Sequence, residues 1–448
     1  MKKLARVFAI NFMDWFLKLR KTVFFRATQR TLILLSPLAI IGSFFSFLKY
    51  AVFTEGSLLY SLLQLDNWLP EHAWRFGMYL STGMTYVTLG MFGIYATYLM
   101  SLYTARLVGR DSKTAGLTAI VALLFMSYIY NPRLDSTLAL SLNRRVLDVN
   151  GFLIAILVGY GVGQVFHWLG KEYRSVSYEH VHLIKERTYN ALLPVSVSLI
   201  FAIIIGSVFY FAQVRLLSST NFRSIVARIQ STNNPWFSIP WTMLISFLGW
   251  GGIGGPLDSL GNVVNSGAQA ANMNAALTAG SSWNIPYKYL GSSLLQSYGM
   301  MGGAGTALSL MIVIFLYSKD HSDLRLAKLN LVQVLFNSGV GFFTGLPVAL
   351  NPIYALPFTV VPGINMLLAT GAIALHIVPP SGYLLLQGTP GLLNSFVATN
   401  GSVAALLFSL ALLILDVLIW IPFYKFSVAI EARVVAEDKE AEEHAVKA

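Results

Sequence analysis

Side chains able to do chemistry are few in this chain, and they collect where apolar sequence is punctuated by Gly and Pro. Asn337 and Asn351 lie in FNSGVGFFTGLPVALNPIYALPF (Phe336–Phe358), and His376 and Gln387 lie in HIVPPSGYLLLQGTPGLLNSFVATNGS (His376–Ser402). Asn365 sits on the apolar run between them. Asp258 and Asn262 follow the glycine-rich GWGGIGG (Gly249–Gly255), and Asp416 interrupts LLFSLALLILDVLIW. An amide carries donors and an acceptor together, which suits a ligand rich in hydroxyls and equally suits the loose ends of a broken helix. His376 reads either as a proton relay or as a structural hydrogen-bonding group. Asp258 reads as a functional charge if it lies at membrane depth, and as an ordinary solvated charge if its loop is exposed. Asp416 is placed to pair with a polar group inside a bundle. The glycines of Gly249–Gly255 let backbone approach a ligand, or let helices pack closely.

Other chemistries leave no trace. There is no phosphate-cradling Walker loop, no nucleophile elbow and no His–Glu metal motif. His167, His180 and His182 have no partners at metal-ligand spacing, and the chain has no Cys. Neither a metal nor a cofactor is expected, and disulfides are excluded.

The elements that carry these residues follow from composition. Of 448 residues, 55% are hydrophobic and 11% charged, with a mean hydropathy of +0.63. A soluble domain carries about a quarter charged residues. The deficit predicts an all-α polytopic membrane protein of about ten transmembrane helices. The net charge of +11 does not imply nucleic acid, because the basic residues fall in short segments between apolar runs, the pattern of cytoplasmic loops. No cleaved signal peptide is expected.

Residues 1–30 alternate apolar and basic side chains and predict an amphipathic helix at an anionic inner leaflet, or a basic flank of the first span. Apolar runs follow at about Thr31–Phe53, Met78–Leu102, Lys113–Tyr130, Gly151–Leu169 and Tyr189–Val214. The loop Thr54–Gly77 holds one basic residue, Arg75, whereas Tyr103–Lys113 and Gly170–Thr188 are basic. Both termini are therefore expected in the cytoplasm. A second half, 236–426, is less regular. Runs spanning Ser238–Gly255, Gly299–Tyr317, Leu331–Leu350, Ile353–Leu375 and Val403–Phe426 are separated by a weakly charged stretch after Gly255, which reads as a re-entrant hairpin or a long outside loop. Gly and Pro break helices, and a break in hydrocarbon needs protein or water over it. Interrupted helices near the midplane are how many transporters build a polar site. Residues 427–448 form a charged tail.

Specific phrases carry a resemblance. MGGAGTALSLMIVIFLYSKD (Met301–Asp320), Phe336–Asn337, Gly345–Phe358, Val378–Pro380, FVATNGS (Phe396–Ser402) and IPFYKF (Ile421–Phe426) resemble, in order and spacing, the membrane-embedded sugar permease (enzyme IIC) of the bacterial phosphotransferase system, lactose/cellobiose/chitobiose group. The resemblance implies a multi-pass protein of the bacterial cell membrane. It implies a homodimer formed through the first half (31–235), and a carbohydrate held in the second half by two re-entrant hairpins and their neighbours. It also implies cytoplasmic IIB and IIA partners that phosphorylate the sugar. Asp258, Asn262, Asn337, Asn351 and His376 are the candidate substrate-binding residues.

Two positions depart from the family. Gly254 stands where a phrase like FFGIHG has His, and Val340 stands where a phrase like FNINEP has Glu. Neither Gly nor Val accepts a proton, so no catalytic residue is assigned and the phosphotransfer site reads as degenerate. Asp258, four residues after Gly254, is a candidate substitute. Three functions follow: a divergent sugar permease of the phosphotransferase system, a transporter that moves its solute without phosphorylating it, or a sensor or scaffold subunit built on the same fold.

Overall fold

The computed structural model describes residues 15–130, 140–172, 181–212, 232–252 and 267–447. Helix α1 (Val23–Phe47) opens with a cap: the Thr22 hydroxyl accepts from the Phe25 N–H at 3.3 Å. It continues into a π-helical turn, Leu48–Phe53. Helices α2 (Glu71–Thr88), α3 (Phe92–Leu107), α4 (Ser112–Ser127), α5 (Phe152–Leu169) and α6 (Val181–Ala212) complete the first half. Glycine decides how closely α3 and α5 cross. A Cβ on Gly159 would stand 2.6 Å from the Thr97 carbonyl, and one on Gly163 would stand 2.5 Å from the Thr104 Cβ. Small residues let backbones touch where apolar burial between helices drives nothing in lipid. Phe92, Met100, Leu123 and Ile156 fill the space around that crossing.

Two features of this half differ from the sequence reading. The apolar run Met78–Leu102 is two helices, α2 and α3, with a turn at residues 89–91. The Leu89 carbonyl closes that turn by accepting from the Phe92 N–H at 3.4 Å and also accepts from the Val149 N–H at 3.2 Å. Hydropathy runs through the break unchanged because the turn residues Leu89, Gly90 and Met91 are themselves weakly polar or apolar. The loop after α4 begins with a short antiparallel ladder, Tyr128–Tyr130 with Leu140–Leu142, in the register Tyr128↔Leu142.

The second half is built of interrupted helices. Helix α7 (Pro235–Trp250) is capped by Asn234, and α8 (Gly267–Ala279) follows. The segment Gly291–Tyr317 is apolar enough to cross a membrane but is made of pieces: Gly291–Leu294, a π turn Leu295–Gly299, an irregular stretch, a 3-10 turn Ala304–Thr306, then α9 (Ala307–Tyr317). Gly302, Gly303 and Gly305 have φ of +81°, +98° and +62°, which only glycine takes without strain. Short helix α10 (Val340–Gly345) precedes α11 (Pro352–Ala374). The last helix, α12 (Val403–Lys447), continues into the tail. Among the described residues, six helical segments are long and apolar enough to span a bilayer. This is a multi-pass membrane protein with interrupted helices in its C-terminal half.

Helix α12 is the spine of that half. Along one face Ser409 meets Ser395 at 2.6 Å, Asp416 accepts from Asn365 Nδ2 at 2.9 Å, and Trp420 Nε1 donates to Thr306 Oγ1 at 2.9 Å. Farther along, the Tyr424 hydroxyl donates to Asp323 at 3.0 Å. Each contact fixes a different segment of the half: the short helix carrying Ser395, α11, the 3-10 turn at Thr306 and the short helix carrying Asp323. The described part of the basic N-terminal stretch docks here too. Phe16 and Leu17 are buried with α9 and α12, and Arg20 lies 3.8 Å from Glu431.

Asp323 lies on the short helix His321–Leu329, outside the membrane-crossing segments. Burial pushes its carboxyl above the usual carboxylate range; the Tyr424 hydrogen bond opposes this, and the charges of Asp320 and Glu431 add to it. A raised folded-state value means that the stability contributed by protonated Asp323 is fully present below the unfolded pKa of about 4 and is lost as pH rises through the folded value. Asp323→Asn is therefore expected to melt above wild type near neutral pH, with the gap closing below about pH 4. Thermal unfolding in detergent across that range checks this; a variant that melts below wild type at neutral pH contradicts it.

Candidate functional site

Three breaks in the second half meet at one side chain. Asn337 sits at φ +64° in the turn before α10, a conformation that Asn tolerates better than most residues. Its Oδ1 accepts from the N–H groups of Gly302 and Gly303, both at 3.0 Å. Its Nδ2 donates to the Thr389 carbonyl at 3.0 Å. One amide thus satisfies backbone groups from two other interrupted stretches. Glycine is required around it: a Cβ on Gly391 would lie 2.6 Å from Asn337 Oδ1 and 2.6 Å from Gly302 N.

The next residues fasten this knot to the first half. The Ser338 hydroxyl donates to the Ser43 carbonyl at 3.0 Å, and the Ser43 hydroxyl accepts from the Gly341 N–H at 2.8 Å. Gly341 packs so closely on α1 that a Cβ would come 2.8 Å from the Ile40 Cα. The far end of α10 is held by Trp250, whose indole N–H donates to the carbonyls of Val348 (3.0 Å) and Asn351 (3.2 Å). The Trp250 carbonyl in turn accepts from the Leu350 N–H at 3.2 Å.

A cleft of about 190 Å³ lies between the two halves, beside α10. Phe92 and Phe152 form part of one wall; Leu248, Gly252, Val340 and Phe343 form part of the other. The two stretches with atypical residues thus share a wall, since Val340 lines the cleft directly and Gly252 lies two residues before Gly254. No ionisable side chain lines the cleft among the described residues. Its polar lining groups are already engaged: the Thr344 hydroxyl donates to the Val340 carbonyl at 2.7 Å, and the Asn150 amide donates to Asp148 at 3.3 Å. Larger concavities of about 610 and 660 Å³ are open grooves, along α2 near Arg144 and across α4, α5 and α6.

The candidate residues fall in different places. Gly254, Asp258 and Asn262 lie outside the described residues, in the chain that continues from the cleft wall at Gly252. Asn337 stands three residues from Val340, with its amide committed to backbone. Asn351 caps α11, accepting from the Ile353 N–H and donating to the Pro347 carbonyl, both at 3.3 Å. His376 is exposed beyond the end of α11 at φ +57°, stacked on Trp283 with ring centroids 6.0 Å apart; the structure does not bring it to the cleft lining. Gln387 is exposed, and its carbonyl accepts from the Leu58 N–H at 2.9 Å. Trp250 and Ser43 are organising residues that residue type alone does not reveal. The available signal for Trp250 was its position inside GWGGIGG.

No family model matches the chain. It is 35% identical over 128 residues to the cellobiose-specific EIIC component of the phosphotransferase system of Lactococcus lactis, an alignment covering 29% of this chain and 26% of that protein. It is 23% identical to the oligo-beta-mannoside-specific EIIC component of Bacillus subtilis, covering 94% of this chain and 93% of that one. The solved structure of ChbC, the IIC component of the N,N'-diacetylchitobiose-specific system, aligns over 94% of this chain and 96% of its own at 18% identity, with a TM-score of 0.41.

The Asn337 knot has a direct test. Asn337→Gly keeps the positive φ and removes the side chain, leaving two N–H groups and one carbonyl without partners. An unsatisfied buried polar group costs about 1–3 kcal/mol, and this site is partly buried, so a loss of roughly 2–4 kcal/mol is expected. Asn337→Asp, which keeps the acceptor, should fall between. Thermal unfolding of the detergent-solubilised protein measures both, and a glycine variant as stable as wild type rules the knot out as a support.

Proposed function

We propose, from a chain that resembles the phosphotransferase-system enzyme IIC permeases over nearly its whole length, that this protein is a sugar permease of that type for a glycoside or oligosaccharide, with a phosphotransfer site that no longer works in the ordinary way. It acts in the bacterial cell membrane as a homodimer joined through its first half, with both termini in the cytoplasm. A cytoplasmic IIB/IIA pair or another cytoplasmic protein meets it there.

The observation that carries this reading is the wall shared by Val340 and Gly252. A sugar hydroxyl about to receive phosphate needs a group that accepts its proton, and such a group contributes about 10²–10⁴-fold in rate. Val340 offers methyl groups at the position that the resemblance assigns to Glu. Charge-assisted hydrogen bonds, which would hold the sugar in one orientation, are lost with it. The aromatic walls remain suited to the apolar faces of a pyranose ring.

The same wall supports a second reading, a facilitator that moves its sugar without modifying it. With no fixed charge on its walls among the described residues, the cleft can bind and release a neutral sugar without presenting it to a phosphoryl donor.

Membranes containing this chain, supplied with phosphoenolpyruvate and the matching soluble components, are expected to phosphorylate cellobiose-type sugars no faster than membranes lacking it. Phosphorylation that depends on the chain overturns the degenerate-site reading. Vesicles loaded with labelled sugar separate the remaining functions: flux supports a permease or facilitator, whereas binding without flux indicates a sensor or scaffold.

A further inference from the structure

The cleft beside α10 is too small to take in an oligosaccharide whole. Its volume is about 190 Å³, whereas pockets that enclose drug-sized ligands begin at roughly 300 Å³. A cavity of about 150 Å³ lined by Leu, Ile and Phe takes up a single benzene. The space here suits one six-membered ring.

The walls decide which kind of ring. Each half of the protein contributes a pair of phenylalanines to the lining. Phe92 and Phe152 lie with ring centroids 5.9 Å apart and planes tilted by 45°; Phe343 and Phe358 lie 5.2 Å apart at 58°. Glycines at positive φ let one ring of each pair seat against backbone. A Cβ on Gly252 (φ +75°) would stand 2.8 Å from the Phe152 ring, and one on Gly305 (φ +62°) would collide with the Phe358 ring. The rings are thus in place before a ligand arrives, and a preformed wall loses little freedom on binding.

A pyranose and a benzene ring both offer flat faces to such walls. They differ at the edge. A pyranose carries several hydroxyls, and each one buried without a partner costs affinity. Among the described residues, two polar side chains line the cleft, Asn150 and Thr344, and both are engaged with their own segments. An aromatic ring makes no such demand.

We propose, resting on the reading of this chain as a glycoside permease, that the cleft takes an aromatic aglycone. The substrate is an aryl glycoside whose benzene ring enters between the two phenylalanine pairs while its sugar stays at the mouth. Burial of the aryl ring then sets the specificity.

Calorimetric titrations of the full chain in lipid nanodiscs compare phenyl β-D-glucopyranoside with methyl β-D-glucopyranoside, cellobiose and phenol. Phenyl glucoside is expected to bind about tenfold or more tightly than methyl glucoside, from the apolar area it buries. It is also expected to outbind cellobiose, which carries a second pyranose in place of the benzene ring, and phenol, which lacks the sugar. Val340→Phe fills the cleft and is expected to reduce phenyl glucoside to the affinity of methyl glucoside. Ala304→Leu, on an exposed part of the lining, is expected to act in the same direction and carries the test if the first variant does not fold. A phenyl glucoside that binds no tighter than methyl glucoside or cellobiose, or a preference unchanged in the variants, overturns the proposal and leaves the sugar permease standing. Phenol binding as tightly as phenyl glucoside, or no glycoside binding at all, overturns the proposal and the glycoside reading together.

Discussion

The C-terminal half depends on one constraint: every backbone group freed by a helix break must find a partner without water. Hydrocarbon offers none, and an unpaired amide there costs several kcal/mol. The amide of Asn337 meets that demand for Gly302, Gly303 and Thr389 together. Because its two ends differ, Asn joins two donors on one side to an acceptor on the other. Three interruptions become one knot, and the positions of α9, α10 and the segment before α12 are no longer independent.

The rest of the half is arranged around that knot. Helix α12 lays a polar stripe along the broken pieces, from Ser409 through Asp416 and Trp420 to Tyr424. Ser43 fastens α10 to the first half, and Trp250 closes the other end. Between these fixings the cleft is left with aromatic and aliphatic walls. A ligand there would meet ring faces and backbone from the described wall. Among the described residues no charged side chain lines the cleft.

Much of this was legible in the residues. Gly and Pro in Phe336–Phe358 and His376–Ser402 marked the interruptions, because both act directly on backbone geometry, although Pro357 lies inside the continuous α11. The amides read two ways, as ligand groups or as partners for helix ends, and those of Asn337 and Asn351 are bonded to backbone. Sequence did not reveal which break each amide would serve, since that depends on contacts such as Asn337 with Gly302, 35 positions apart. The split of Met78–Leu102 into α2 and α3 was hidden because a turn of apolar residues carries no hydropathy signal. The ladder at Tyr128–Tyr130 was missed because three residues are too few to display a period. Asp416 was expected to find a polar partner, and it found Asn365.

The cleft beside Val340 is the place where ligand and fold should meet, and the natural absence of cysteine makes it directly testable. A single Val340→Cys substitution can be labelled with a hydrophilic thiol reagent in membrane vesicles, with and without a sugar shown separately to bind. Labelling is expected to proceed and to slow several-fold when that sugar saturates the protein. A rate unchanged by a sugar that demonstrably binds would mean that the ligand sits elsewhere and that this wall is packing alone.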